Sequence, residues 1–313
     1  MISLRALFGF LLTISCCVGG VVVAAGEKPV VVVTNGILAD WTQRVAGDAV
    51  VVRTLVPPGG DAHHFEPKVS DRKALLDARL VVTLGLGYEP WLAGMAKGSK
   101  VERVELGAVI PHERLLGGAC TTCAHGHAHE AKNPHVWMDP MLAALLVERL
   151  RDTLAGALPE SKERFAVNAA AYVGELKALD SRLEGIFKAL PAERRRLVSG
   201  HASLNYFCRR YGIEIVDMVV AQSETLHEEV TAKRLVAVAA KVRALPVPCV
   251  YTDSVTVSPL VARVAREAGD VPVVVLPVEN LTPSAPTYLK LVEQVAGIIR
   301  ETQSAGAGKS SPQ

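Results

Sequence analysis

The chain contains nine histidines, and four of them fall with two cysteines in CTTCAHGHAHEAKNPHVWMDP, residues 120–140. Imidazole nitrogens and thiolates are ligands that zinc prefers in proteins, so this segment indicates metal binding. Its histidines differ in their surroundings. His125, His127 and His129 alternate with Ala and Gly, which is typical of a mobile loop. His135 lies in NPHVWMDP, directly before a predicted helix.

Two further histidines lie beyond the carboxyl ends of predicted strands, His63 in the loop after the second strand and His201 directly after the fifth. His63 lies in PPGGDAHHFEP and His201 lies in SGHASLNYF. Open α/β sheets bind ligands beyond the carboxyl ends of their strands, and three neutral imidazoles that converge there suit a borderline ion such as Zn²⁺. A single histidine is more often a helix cap or a partner of a backbone group. The set of His63, His135 and His201 is what predicts a metal site.

Short β-branched runs alternate with helical stretches along most of the chain, which is typical of parallel α/β layers. Eight strands are predicted in two sets of four. The first set covers residues 30–34, 50–56, 80–84 and 101–106, and the second covers 197–200, 213–218, 249–253 and 271–276. Helical stretches are predicted at 37–45, 71–77 and 90–95, and near the C-terminus at about 286–299.

The region between the two sets, from residue 140 to about 192, contains no predicted strand. Ala, Leu, Glu, Lys and Arg dominate there with apolar residues at helical spacing, and Leu158-Pro159-Glu160 separates a first helix from a longer one over about 161–190. The predicted fold is therefore α/β, with two parallel-sheet lobes joined by a long helix and a metal site in the interlobe cleft. The predicted domain limits are 1–25 for a signal peptide, 26–159 for the N-terminal lobe with a His/Cys loop at 117–133, 160–191 for the linker helix, 192–303 for the C-terminal lobe and 304–313 for a disordered tail.

The N-terminus has the pattern of a secretory signal peptide. Arg5 is its only charge, an apolar run covers residues 6–25, and Val23-Ala24-Ala25 supplies small residues for cleavage after Ala25. Two alternatives remain open. The run is long enough to stay uncleaved as a membrane anchor, and a lipid could be attached to Cys16 or Cys17. The pattern predicts a periplasmic or otherwise extracytoplasmic protein.

Export affects the interpretation of the remaining cysteines. In an oxidising compartment Cys120 and Cys123 could close a small disulfide, or could bind metal as thiolates beside the neighbouring histidines. Cys208 and Cys249 lie in apolar surroundings and are predicted to be core thiols. A bridge between these two is left open.

Composition and motifs argue against two functional classes. The formal net charge is only +2, and basic and aromatic residues do not interleave as a nucleic-acid groove requires, so no nucleic-acid partner is predicted. His227-Glu228 is not followed by a second histidine four positions after the first, so the HExxH motif of metalloproteases is absent. No G-x-S-x-G nucleophile elbow occurs either.

Four segments resemble, in order and spacing, the signature segments of the periplasmic zinc- and manganese-binding proteins of ABC transporters. They are GGDAHHFEP, NPHVWMDP, SGHASLNYFCRRYG and VENLTPSAPTYL. The resemblance extends over about residues 28–300 and implies two α/β lobes connected by a rigid helix. It implies that His63, His135 and His201 are metal ligands. The fourth ligand would be Glu279, at a position where the family more often has aspartate.

Two further expectations concern the site. Asp61-Ala62 departs from the proline that usually precedes the first ligand of the resembled family, which predicts a less rigid loop at His63. Imidazole binds metal only when it is neutral, and its ordinary pKa is about 6.5. Zinc affinity is therefore expected to fall below about that pH, with several protons released per zinc bound.

The residue types favour zinc as the metal. Zn²⁺ accepts three imidazoles and one oxygen in a tetrahedron, whereas Mn²⁺ prefers oxygen ligands. In the resembled family the position of His201 is a carboxylate in many manganese or iron members. Four protein ligands fill the coordination sphere, which is typical of a holding site and not of an enzyme. The predicted function is extracytoplasmic, high-affinity capture of zinc as a transported ligand, and its delivery to the membrane permease of an ABC transporter.

The alternatives are a manganese- or iron-binding homologue and a periplasmic zinc buffer or adhesin, and an exported zinc hydrolase is the least favoured. Zinc-binding members of the resembled family often carry a His-rich insertion before the NPHVWMDP segment, which supports zinc. The predicted auxiliary metal loop, which would capture zinc at low affinity or receive it from a zinc chaperone, consists of His125, His127, His129, Cys120 and Cys123. The competing interpretation is a solvated loop that binds metal incidentally.

Overall fold

The computed structural model of the protein describes residues 27–117, 132–220, 231–245, 247–253 and 258–305. The predicted signal peptide and nearly all of the predicted His/Cys loop lie outside these residues. Among the described helices, none combines the length and the apolar character that are needed to cross a membrane.

The first four strands form one parallel sheet. They are β1 (Val30–Val33), β2 (Val51–Thr54), β3 (Leu80–Thr83) and β4 (Arg103–Glu105), arranged in the order β2-β1-β3-β4. The two central strands are buried almost throughout, which explains why their sequences are continuous apolar runs without alternation. The connecting helices are α1 (Gly36–Ala46), α2 (Val69–Leu76) and α3 (Leu92–Met95).

The second set of strands forms a sheet with the same arrangement. Its strands are β5 (Arg196–Ser199), β6 (Glu214–Met218), β7 (Val250–Thr252) and β8 (Val273–Val275), in the order β6-β5-β7-β8. The associated helices are α6 (Asn205–Tyr211), α7 (Ala232–Ala244) and α8 (Pro259–Glu267). All eight predicted strands are confirmed, and the structure shortens most of them by one to three residues at their ends.

Two helices separate the sheets, as the sequence predicts. α4 (Pro140–Ala157) begins after Asp139, whose carboxylate accepts the backbone N–H groups of Met141 and Leu142 and so caps the helix. α5 (Lys162–Lys188) has 27 residues, which corresponds to a length of about 40 Å. It packs against α1 and α4 on one side and against α6 of the second half. One long helix therefore contacts both halves of the molecule.

The chain after β8 leaves the second sheet and packs on the first half. The last helix, α9 (Tyr288–Ala305), begins with the fully buried Tyr288. The Tyr288 ring lies 5.1 Å from the ring of Trp41 in α1. Its backbone N–H donates to Asp40 (3.0 Å), and its hydroxyl donates to the carbonyl of Trp137 (2.6 Å). The segment between β8 and α9, which carries Glu279, therefore runs from one half of the molecule to the other.

The two described cysteines belong to the core. Cys208 and Cys249 are buried free thiols, so the bridge that the sequence left open between them is not formed. Burial raises the pKa of the Cys249 thiol to about 11 and raises the pKa of Cys208 as well. Both side chains therefore stay protonated at neutral pH, where a thiol is a poor nucleophile and a poor metal ligand.

Candidate metal centre

His63 lies in the loop that follows β2, and local hydrogen bonds restrain this loop. The carboxylate of Asp61 accepts the backbone N–H of His63 (2.7 Å) and lies 2.7 Å from Nδ1 of the exposed His64. The indole N–H of Trp91 donates to the carbonyl of Ala62 (2.7 Å). Asp61 thus restrains the loop at His63 through its side chain.

His135 is 3% exposed and is oriented by Asn133, two residues earlier. The side-chain oxygen Oδ1 of Asn133 lies 2.9 Å from the backbone nitrogen of His135 and 2.8 Å from its Nδ1. The amide nitrogen of Asn133 donates to the carbonyl of Ala202 (2.7 Å), which fixes the orientation of the amide. Because an amide oxygen only accepts hydrogen bonds, Nδ1 of His135 carries the proton and Nε2 presents a lone pair.

His201 directly follows β5 and is oriented by a carboxylate. Its Nδ1 lies 2.5 Å from Oδ2 of Asp253, and the hydroxyl of Ser203 donates to the same oxygen. Asp253 follows β7, which is the neighbour of β5 in the sheet. A carboxylate that binds one ring nitrogen fixes the direction of the other and raises its basicity. Nε2 of His201 therefore points towards His135.

Glu279 lies in the segment after β8 and faces the histidines. Its Oε1 is 3.2 Å from Nε2 of His135 and 3.9 Å from Nε2 of His201. The hydroxyl of Tyr88 donates to the carbonyl of Glu279 (3.0 Å) and lies 3.3 Å from Oε2, while the Tyr88 ring packs edge-on against the ring of His63 at 4.7 Å. Oε1 is buried and accepts no hydrogen bond from the described residues.

The Nε2 atom of His135 lies at zinc-ligand distances from the Nε2 atoms of the other two histidines. Nε2 of His135 is 3.3 Å from Nε2 of His63 and 3.4 Å from Nε2 of His201. Zinc–nitrogen bonds of about 2.0–2.1 Å place two nitrogens of a tetrahedron about 3.3–3.4 Å apart. The ligand atoms of His63, His135 and Glu279 lie within 4.8 Å of one another, and so do those of His201, Asp253 and Glu279. A cluster of lone pairs of this kind, in which His135 is buried and the other side chains are partly exposed, is suited to a cation.

Two of the three histidines are held neutral. Burial and, to a smaller extent, the positive charge of His201 lower the pKa of His135 to about 3. Burial also lowers the pKa of His63 to about 4, although the charge of Glu279 acts in the opposite direction. Both rings are therefore available as metal ligands over the whole physiological pH range.

His201 and Glu279 behave differently. Burial opposes a charge on His201, but the charge of Asp253 and its hydrogen bond outweigh this and raise the pKa of His201 to about 9. The same pair keeps the pKa of Asp253 well below its ordinary range despite burial. Burial raises the pKa of Glu279 to about 7. In the metal-free site at neutral pH, a proton on His201 thus provides the positive charge.

The structure brings together all four residues predicted for the main site, and it adds residues that the sequence did not single out. Asp253 contacts His201, Asn133 contacts His135, and Tyr88 contacts both Glu279 and His63. Asn133 could have been found, because an Asn two residues before a ligand often bonds the local backbone. Asp253 could have been noticed as an acid at a strand exit. The predicted auxiliary ligands lie outside the described residues, namely His125, His127, His129, Cys120 and Cys123.

The comparison with known proteins shows the family to which the chain belongs. The family model described as "ZnuA: Zinc-uptake complex component A periplasmic" matches residues 31–302. The chain is 30% identical over 275 residues to the zinc-binding protein AdcA of Streptococcus pyogenes, a match that covers 83% of this chain and 52% of that protein. The chain therefore spans about half the length of AdcA. It is 29% identical to the metal ABC transporter substrate-binding lipoprotein FimA of Streptococcus parasanguinis, over 80% of this chain and 81% of that one.

Solved structures share the fold. The periplasmic zinc-binding protein TroA of Treponema pallidum superposes with a TM-score of 0.78 at 25% identity, over 88% of this chain and 99% of that one. A manganese-bound periplasmic metal-binding protein of Candidatus Liberibacter asiaticus superposes with a TM-score of 0.74 at 22% identity, over 88% of this chain and all of that one. At this level of identity the second likeness concerns the fold alone.

Proposed function

Since the chain belongs to the family of periplasmic zinc-uptake component A proteins, which are solute-binding transport components, we propose that it captures zinc outside the cytoplasm and delivers it to the permease of a metal ABC transporter. We propose His63, His135, His201 and Glu279 as the zinc ligands. One observation carries the assignment: Nε2 of His135 lies 3.3 Å from Nε2 of His63, 3.4 Å from Nε2 of His201 and 3.2 Å from Oε1 of Glu279, which accepts no hydrogen bond from the described residues.

The choice of zinc over manganese follows from the ligand types. Three imidazoles and one carboxylate oxygen suit a tetrahedral Zn²⁺ ion, whereas Mn²⁺ prefers a larger share of oxygen ligands. The name of the streptococcal relative, a zinc-binding protein, supports the same metal. Four protein ligands leave no position for a reacting water, so the site holds its metal as cargo and does not act as a hydrolase.

The charges in the site support exchange of zinc for a proton. The Zn²⁺ ion would displace the proton of His201, whose pKa is raised to about 9. The two positive charges of zinc are then balanced by the carboxylates of Glu279 and Asp253. A buried metal unit without net charge avoids most of the desolvation cost of an isolated ion. Asp253 therefore contributes to zinc binding through charge and through the orientation of His201.

The N-terminal segment and the His/Cys loop complete the proposal. Residues 1–25 would direct export and be removed after Ala25, with a lipid on Cys16 or Cys17 as the alternative. The loop with His125, His127 and His129, together with Cys120 and Cys123, would collect zinc at low affinity and pass it to the main site, or accept it from a zinc chaperone.

Titration of residues 26–313 with competing metals tests the binding part of the proposal. The metal-free protein should bind one zinc ion tightly, and manganese at least about 100-fold more weakly, because Mn²⁺ has a low affinity for nitrogen ligands. Native mass spectrometry would count the ions. Tighter binding of manganese than of zinc would overturn the choice of metal, and the absence of a tight site would overturn the capture function.

Delivery is tested in the cell. Deletion of the gene should reduce the uptake of radioactive zinc at limiting zinc concentration, and the wild-type gene should restore it. A gene with His135→Ala should be exported and folded but should not restore uptake. Normal uptake in the deletion strain, in the absence of a second zinc system, would favour a zinc buffer over a transport component.

A further inference from the structure

The segment of residues 278–281 follows the last strand of the second sheet, but its backbone carbonyls accept hydrogen bonds from the first half of the molecule. The indole N–H of Trp137 donates to the carbonyl of Val278 (2.8 Å), and the hydroxyl of Tyr88 donates to the carbonyl of Glu279 (3.0 Å). The N–H of Gly59 donates to the carbonyl of Leu281 (2.9 Å). The partners of this segment thus come from three separate places in the first half.

Asn280 makes the densest set of these contacts. It is 2% exposed. Its amide nitrogen donates to the carbonyls of Pro57 (2.9 Å) and Gly60 (3.2 Å), and its oxygen accepts the backbone N–H groups of Gly36 and Leu281 (2.8 Å each). A carboxamide offers two hydrogens and two lone pairs, so all four hydrogen bonds of this side chain are formed.

The two carbonyls that Asn280 binds belong to the loop that leads to His63. Gly60 is three residues before His63, and Glu279 is the residue before Asn280. The amide of Asn280 therefore links Glu279, the preceding residue, to the loop that carries His63. These two proposed ligands are more than 200 residues apart in the chain. Aspartate at this position would turn a carboxylate oxygen towards the carbonyls of Pro57 and Gly60, and neither hydrogen bond could form.

The contact between Asn280 and the start of α1 requires a glycine at position 36. A Cβ atom on Gly36 would lie 2.6 Å from Oδ1 of Asn280, and 3.2 Å from Cβ of Leu281. Real Cβ atoms do not approach an oxygen so closely, so the absence of a side chain at Gly36 allows Asn280 to reach the N–H of the helix start.

We propose that Asn280 is a positioning residue that fixes Glu279 against the half of the molecule that carries His63 and His135. The inference rests on the proposed function, because it takes these residues as zinc ligands. His63, His135 and Glu279 then form a preassembled three-ligand half-site. The fourth proposed ligand, His201, is held by Asp253 in the second sheet.

A double-mutant cycle tests the positioning role. Asn280→Ala should weaken zinc binding about 10- to 100-fold, the usual cost of losing a residue that orients a ligand. In the background of Glu279→Gln the same change should cost less than about threefold, because the ligand that Asn280 positions has already been removed. Gly36→Ala should reproduce the loss of affinity from the other side of the contact.

Asn168 provides a matched control. Its side chain donates to the carbonyl of Val45 (3.0 Å) and so connects α5 to α1 away from the site. Asn168→Ala should leave zinc affinity unchanged. Equal losses for Asn280→Ala in the wild-type and Glu279→Gln backgrounds would mean that Asn280 acts on overall stability and would overturn the proposal, as would wild-type affinity in Asn280→Ala.

Hydrogen exchange in the metal-free protein separates this inference from the proposed function. The amides of residue 36, Gly59 and Leu281 should be protected in the wild type and exchange at least about tenfold faster in Asn280→Ala or, if that variant does not fold, in Gly36→Ala. This readout does not require zinc. Unchanged protection of these amides would overturn the positioning role even if zinc binds as proposed, whereas a wild type without a tight zinc site would overturn the function.

Discussion

His135 and His201 face the same point in the site but are oriented by opposite kinds of partner. The Nδ1 atom of His135 donates to the neutral amide of Asn133, whereas Nδ1 of His201 donates to the carboxylate of Asp253. The pKa of the first ring is lowered to about 3 and that of the second is raised to about 9. At neutral pH the ring of His135 is therefore neutral and the ring of His201 carries a proton.

The two sheets show that topology alone does not decide which strand exit carries a ligand. The central strands β5 and β7 bring His201 beside Asp253, and the equivalent strands β1 and β3 bring Thr34 beside Glu89. The Thr34 hydroxyl donates to Glu89 (2.7 Å), and so do the backbone N–H groups of Leu84 and Gly85. The Glu89 carboxylate is thus satisfied inside the core. In the second sheet the donor is an imidazole, whose second nitrogen is free to face the site.

The largest effect is expected for His135→Ala. Nε2 of His135 lies within 3.4 Å of candidate ligand atoms of three other residues, so its loss removes the centre of the cluster. Zinc affinity should fall by more than about 100-fold, since even the loss of a residue that only supports a ligand costs 10- to 100-fold. Competition with a fluorescent chelator would measure the change.

The corresponding substitutions His63→Ala and His201→Ala should also weaken zinc binding severely, because each removes one bond to the metal. His64→Ala is the matched control, since His64 is adjacent to His63 but is exposed and pairs with Asp61. Wild-type affinity in any of the three ligand variants would remove that residue from the proposed site.

A smaller effect is expected for Glu279→Gln. The variant keeps the size of the side chain but loses the charge that offsets one of the two positive charges of zinc. Three imidazoles remain, so the protein should still bind zinc, about 10- to 100-fold more weakly and with faster release. Stopped-flow transfer of zinc to a chelator would measure the release rate. A crystal structure with a ligand other than Glu279 in the fourth position would contradict the assignment and leave the histidines in place.

Much of the fold follows from the sequence because buried parallel strands have a simple signature. Val30–Val33 and Leu80–Thr83 are continuous apolar runs that only a strand buried on both faces explains well. The exact ends of the strands could not be predicted, because each end depends on the length of the neighbouring strand. The path of residues 278–288 back to the first half was equally hidden, since it depends on contacts such as that between Tyr288 and Trp41.

The site was predictable where motifs are local and hidden where partners are distant. The three histidines lie in short segments with recognisable neighbours, and Glu279 follows from the resemblance to a family. Asp253 could not be assigned to His201, because their contact requires that β5 and β7 be adjacent, and the sequence does not state the strand order. Asn280 was visible only as the neighbour of Glu279, since its partners in the first half of the molecule are more than 200 residues away.

The pH dependence of zinc binding tests the contrast between His135 and His201 directly. Between about pH 7 and 9 only His201, with its pKa raised to about 9, must lose a proton, so affinity should rise about tenfold per pH unit. Below about pH 7, Glu279 with its pKa near 7 adds a second proton, and the dependence should become steeper. His63 and His135 contribute no proton above about pH 4.

Ordinary imidazoles would behave differently, because three rings with a pKa of about 6.5 would release protons only below that pH. Calorimetry in buffers of different ionisation enthalpy, from pH 6.0 to 8.5, would count the protons. Asp253→Asn should flatten the dependence between pH 7 and 8.5, because the charge that raises the pKa of His201 is gone. A wild-type affinity that is constant above pH 7 would contradict the raised pKa of His201.

The smallest effect on the tight site is expected for the loop. The sequence predicts that His125, His127 and His129 form an auxiliary arm. Replacing the three histidines together by alanine should lower the number of zinc ions bound at high zinc concentration and leave the affinity of the tightest ion within about twofold, since none of the four proposed ligands is altered. His112→Ala, a change at an exposed histidine outside the loop, should alter neither quantity.

Native mass spectrometry gives the number of ions and chelator competition gives the affinity. Loss of the tight ion in the loop variant would place the main site in the segment before NPHVWMDP and contradict the site built around His135.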